Sequence, residues 1–121
     1  MEYVDFLLTG DPGQAKATVC DALEGRKFKL TWTDEWTATA ERGNKIANAL
    51  LGAFAQYFKV GVVIRTDEAS GHGIVRIERG SRGMMGGAIG VARTNKNMKQ
   101  LAEELTAAWQ SSGVLVNATQ A

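Results

Sequence analysis

The chain has 121 residues, 45% of them hydrophobic, and a formal net charge of +1, a length at which one domain buries roughly two-thirds of the surface its unfolded chain exposes. A single cysteine, Cys20, and a single histidine, His72, exclude an internal disulfide and leave no Cys and His cluster with zinc-site spacing. Charge is uneven: residues 1–25 hold five acids and one base, residues 76–100 six bases and one acid, so the second stretch alone offers local attraction for phosphates or an acidic partner.

The first ten residues, MEYVDFLLTG, carry two acids and no basic flank, and Asp5 breaks the apolar run. They do not read as a secretion signal, and with the lone cysteine they point to a cytoplasmic protein. Within them, residues 3–9 alternate as a strand with Val4, Phe6 and Leu8 on one face. DPGQ then reads as a helix start. Asp11 caps, Pro12 takes the first helical position and Gln14 reaches back to complete a capping box. The helix runs to about Leu23 with Ala15, Val19, Ala22 and Leu23 as its buried stripe, and Gly25 supplies a left-handed stop.

Two alternating segments follow: KFKLTWT, with Phe28, Leu30 and Trp32 inward, and WTATAER, with Trp36, Ala38 and Ala40 inward. Joined through Asp34 and Glu35, they predict a hairpin. After Gly43 the spacing becomes helical, with Ile46, Leu50, Ala53, Phe54 and Tyr57 in register, while Leu51 and Phe58 extend apolarity around the cylinder. Residues 46–58 are expected as a buried helix, with strand as the open alternative because short apolar runs are not typed by periodicity alone. Asn48, Gln56 and Lys59 interrupt the apolar tract, so it does not read as transmembrane.

KVGVVIRT and GIVRIER form a second predicted hairpin around the turn-rich DEASGHG, with Val60, Val62 and Ile64 facing the same core as Val75 and Ile77. The last element is a long helix: Met84, Val91, Met98 and Leu105 recur every seven residues, Ala88, Ala102 and Trp109 fill the adjacent row, and Gly113 ends the pattern before a short apolar tail, VLV. The order β-α-β-β-(α)-β-β-α predicts a single α+β domain over residues 1–121, a two-layer structure in which helices pack on one face of an antiparallel sheet of about five strands.

The entrance to that last helix, GSRGMMGGAIG, holds five glycines in eleven residues. Each glycine inside a helix costs roughly 1 kcal/mol relative to alanine, so the segment asks for a compensating contact. Gly83 with Gly87, and Gly86 with Gly90, make small-xxx-small pairs that let another backbone approach, and the alanine-rich stretch 46–58 is the natural neighbour. A second reading is an anion site at the helix start, with Arg79, Arg82 and Gly83 as the groups, although neither phosphate-loop spacing nor the dinucleotide fingerprint is present. In a third, Met84, Met85 and Ile89 form an adaptable apolar lip.

Catalytic chemistry finds little support. His72 sits between glycines in a polar turn with Asp67 and Glu68, a poor ligand set for any metal. Cys20 lies beside the apolar stripe of the first helix and reads as a small hydrophobe. Asp34 and Glu35 are adjacent turn residues that point apart, and no serine sits in a nucleophile elbow. The outward sheet face collects Lys27, Lys29, Lys59, Arg65 and Arg76 beside Thr31, Thr33, Thr37 and Thr39, but only Tyr3 offers a stacking platform, which argues against nucleic acid as the ligand. The expectation is a non-enzymatic module, without cofactor or metal, that binds a protein partner or forms a homo-oligomer through Leu51, Phe54, Phe58, Met84, Met85 and Ile89. The alternatives are a carrier of an apolar small molecule or membrane-surface binder, and a weak nucleic-acid or phosphate binder through residues 76–99.

Overall fold

The computed structural model describes residues 2–43, 58–79 and 87–120, with residues 87–95 described as backbone only. The predicted α+β class holds: among the described residues, a six-stranded antiparallel open sheet carries two helices on one face. The strands are β1 (Tyr3–Leu8), β2 (Lys29–Trp32), β3 (Thr37–Arg42), β4 (Phe58–Thr66), β5 (Gly73–Arg79) and β6 (Leu115–Gln120), and the helices are α1 (Pro12–Glu24) and α2 (Gly87–Ser111). The sheet order is β2-β3-β4-β5-β1-β6. The first strand therefore sits between the two latest strands, and two hairpins in succession build the other half. No described helix is long and apolar enough to cross a membrane.

The alternation in sequence sorts the faces. Val4, Phe6, Leu8, Ala38, Ala40, Val60, Val62, Ile64, Val75 and Ile77 are all buried under the helices. α2 lays Met98, Leu101, Ala102, Leu105 and Trp109 on them, a spacing of three, four and seven residues that keeps one side of a 3.6-residue helix inward. Trp109 meets Phe6 edge to face, with ring centroids 4.9 Å apart. α1 buries Ala15, Val19 and Leu23, and its Ala22 is half-buried.

The predicted cap of α1 is present in full. Asp11 Oδ1 accepts from the Gln14 N–H at 2.8 Å, and Gln14 Oε1 accepts from the Asp11 N–H at 3.0 Å. Its far end departs from expectation. Gly25 is right-handed, with φ −62°, and the left-handed residue is Lys27, with φ 72°. The chain turns two residues later than expected because the carbonyls of Leu23 and Glu24 still accept from Arg26 and Lys27. Lys27 therefore lies in the turn ahead of β2 rather than on the sheet. α2 does end as predicted, with Gly113 left-handed at φ 79° and Val114 donating back to the Trp109 carbonyl at 3.0 Å.

Two further differences concern strands. The tail after Gly113 is β6, which pairs with β1 through Val4↔Gln120, Phe6↔Ala118 and Leu8↔Leu115, with a bulge between Leu7 and Leu8. Phe58, expected at the end of a helix, is instead the first residue of β4 and pairs with Arg42 of β3. The remainder of the helix expected over 46–58 falls outside the described residues.

Candidate functional site

The residues expected to form an apolar interaction surface divide into two groups. Leu51, Phe54, Met84 and Met85 lie outside the described residues, as does the side chain of Ile89, whose backbone belongs to the first turn of α2. Phe58 is described, and it corrects the expectation: it is 2% exposed and is core rather than surface. As the first residue of β4 it shares the inward face with Val60 and Val62, so its ring packs 5.9 Å from that of Phe28, beneath the Arg42 guanidinium.

The expected anion site is also altered. Arg82 and Gly83 lie outside the described residues, but Arg79 ends β5 with Nη1 3.5 Å from Glu2 Oε1, and its backbone N–H donates to the Glu2 carbonyl at 3.1 Å. It is therefore a paired arginine rather than an unoccupied donor. What the fold does bring together are the ends from which the two chosen stretches depart. Arg42 faces Phe58 across β3 and β4, and Val60 faces Arg79 across β4 and β5. The chain thus leaves and re-enters the sheet at one end, on three neighbouring strands.

On the helix-free face, the strand register aligns side chains in rows. One row runs Thr37, Val63, Arg76, Asp5 and Thr119; the next runs Thr31, Thr39, Gly61, Glu78 and Tyr3; a third holds Arg65, Ile74, Leu7 and Asn117. At the centre, Arg76 grips Asp5 in two-pronged fashion, Nε to Oδ1 at 2.8 Å and Nη2 to Oδ2 at 3.0 Å, while Arg65 Nη2 reaches Oδ2 at 3.2 Å. The Arg76 guanidinium also lies 3.8 Å from the centre of the Tyr3 ring. Hydrogen bonding to Asp5 raises the Arg76 pKa above its ordinary value, ahead of a smaller opposing effect of burial. Two of the basic residues expected to line up for nucleic acid are thus turned toward one carboxylate, and Tyr3, the only aromatic on this face among the described residues, already stacks on one of them.

The remaining reactive groups stay apart from one another. His72 is in the β4–β5 turn, where its carbonyl accepts from Asp67 at 2.8 Å and the Asp67 carboxylate accepts from Ser70 at 2.5 Å. Burial, then Glu24, pushes the Cys20 thiol above its ordinary value, which favours the neutral, weakly nucleophilic form. Asp34 is occupied by its own turn, accepting from the Trp36 N–H at 2.8 Å. Among the described residues no three His, Cys, Asp or Glu side chains come together as a metal site.

Two features were not anticipated from sequence. The Lys16 ammonium sits 4.3 Å from the Trp32 ring centre and 5.5 Å from that of Trp36, and donates to the Glu35 carbonyl at 2.5 Å, tying α1 to the β2–β3 hairpin. The four-residue interval between the tryptophans places both beside the β2–β3 turn, but nothing local to Lys16 marks it as their cap. The second feature is a cleft of about 210 Å³ between α2 and the β1–β6 edge, lined by Val4 of β1, by Lys99, Ala102, Glu103 and Thr106 of α2, and by the end of β6 from Ala118 to Gln120. It depends on β6, which composition did not reveal as a strand. No protein-family model matches the chain, and no curated protein matches it in sequence.

Proposed function

We propose that this protein is a non-enzymatic binding module that self-associates through the small-residue, apolar stretches 46–58 and 83–91, with Phe58 removed from the contact set because its ring belongs to the core. The observation that carries the reading is the register at one end of the sheet: Arg42↔Phe58 and Val60↔Arg79 put the departures of both stretches at the same end of three neighbouring strands, on either side of β4. Contact between small residues supplies the compensation that a glycine-dense helix start requires. The same reading puts the protein in the cytoplasm, where the lone Cys20 stays a free thiol.

Sedimentation velocity across a concentration series tests it. The parent protein is expected to form a dimer or larger species, and Met85→Asp, which puts a charge on the apolar lip, is expected to weaken association about tenfold or more with an unchanged far-UV spectrum. A parent that remains monomeric throughout, or a Met85→Asp variant that associates as tightly as the parent, refutes it. Mass spectrometry of gently purified protein separates self-association from carriage of an apolar small molecule, which would travel with the monomer.

A further inference from the structure

β6 is the edge of the sheet, and its chemistry is unlike that of the opposite edge. β2 is four residues long and begins with Lys29, the kind of short, charged strand that resists pairing. β6 is six residues, LVNATQ, with neither charge nor proline. Its inner side bonds to β1, and among the described residues no strand lies on its outer side. Val116, in this strand, is 51% exposed, the one large hydrophobic residue so exposed among those described.

The helix layer also stops short of this edge. α2 lies over β1, where Trp109 meets Phe6, and beyond it opens the cleft of about 210 Å³. Ala118 and Gln120 share the face of Phe6 and Val4, yet both are exposed. The flank of α2 that borders this cleft carries Lys99 and Glu103, opposite charges one turn apart, neither of them in an ion pair with a described residue.

We propose that a second copy of this chain pairs with β6, antiparallel and centred near Ala118, across a two-fold axis normal to the sheet, giving one continuous sheet. This deepens the self-association reading but uses a different surface from the stretches 46–58 and 83–91. The axis places both helix layers on the same side and sets α2 antiparallel to its copy, so that Lys99 of each chain meets Glu103 of the other; such self-complementarity is what an isologous contact requires. Spacing agrees with this arrangement. From β1 to β1 of the other copy is three strand separations, about 14 Å, which is beyond the roughly 8–10 Å of packed helices and within the span of a lysine and a glutamate facing each other. An unrelated extended peptide would satisfy the strand edge without answering the charges on α2.

In this register each Asn117 lies opposite Thr119 of the other copy, so Asn117→Lys with Thr119→Lys sets lysine against lysine twice per dimer. Both side chains are exposed in the monomer, and circular dichroism checks that the fold is kept. The expected result is a dimer dissociation constant raised about tenfold or more. Lys99→Glu alone should weaken the dimer, and Lys99→Glu with Glu103→Lys should restore it. In the parent, amide exchange over residues 115–120 should slow as concentration rises. A parent that is monomeric at every concentration, exchange in 115–120 that ignores concentration, or a double-lysine variant as dimeric as the parent overturns the proposal. A dimer that survives the double-lysine change but dissolves on Met85→Asp overturns the edge pairing and leaves the other surface standing; the opposite pattern supports the edge and refutes that surface.

Discussion

Asp5 holds two guanidiniums on an open sheet face, its carboxylate 17% exposed against 25% for the Arg76 side chain and 46% for that of Arg65. The two-pronged contact with Arg76 is the strong member, short and charge-assisted, while the exposed Arg65 adds little. Asp5→Ala is expected to cost about 1–2 kcal/mol in urea unfolding, since it leaves two like charges adjacent and unanswered; a change within a few tenths of a kcal/mol would show the cluster to be ornamental to stability. At this scale sequence was legible where periodicity decides and silent where pairing decides. Asp5 read only as the residue breaking an apolar run, because its partners are 60 and 71 positions away. Phe58 was misassigned for a related reason: it lies at the junction of two apolar patterns, and only the β3 register places it in the strand.

Between α1 and the sheet the decisive element contact is glycine. Gly73 opens β5 and donates to the Gly10 carbonyl at 3.0 Å, and a Cβ there would lie 2.5 Å from Ala15 Cβ and 3.1 Å from Pro12 Cα. Backbone on one side and a buried stripe on the other leave no room to yield, so Gly73→Val should destabilise by about 1–3 kcal/mol. Asp11→Ala removes the cap of the same helix and should cost about 1 kcal/mol. Thermal melts of both variants check the pair, and an Asp11→Ala variant that loses more than Gly73→Val would show the cap to outweigh the close approach at Gly73. Helix α1 was the most legible element because its start is written in local chemistry, DPGQ, that needs no tertiary context. β6 was the least legible. An edge strand exposed on both faces beyond Leu115 has no apolar alternation to display, and its identity rests on pairing with a strand more than a hundred residues earlier.

Across the molecule, the sheet order sets part of the acid-rich start against part of the base-rich later stretch. Insertion of β1 beside β5 brings Asp5 to Arg76 and Glu2 to Arg79, so the two arginines that open the basic stretch are answered by the first strand and the residue ahead of it. Strand order of this kind is not written in the alternation of any single segment, which is why the asymmetry of charge was visible in sequence and the pairing of Arg76 and Arg79 across it was not. The consequence is measurable. At about 0.15 M salt, where unpaired surface charges are screened beyond roughly 8 Å, the protein should pass through a heparin column essentially unretained, because Asp5 and Glu2 offset two of the three positive charges of Arg65, Arg76 and Arg79. Glu2→Gln with Asp5→Asn keeps the shape of both side chains, raises the net charge by two and frees the three arginines. That variant should be retained and should elute with a salt dependence the parent lacks. Equal elution of the two proteins would mean that the arginines are not neutralised by the first strand, or that the surface carrying them does not reach the polymer.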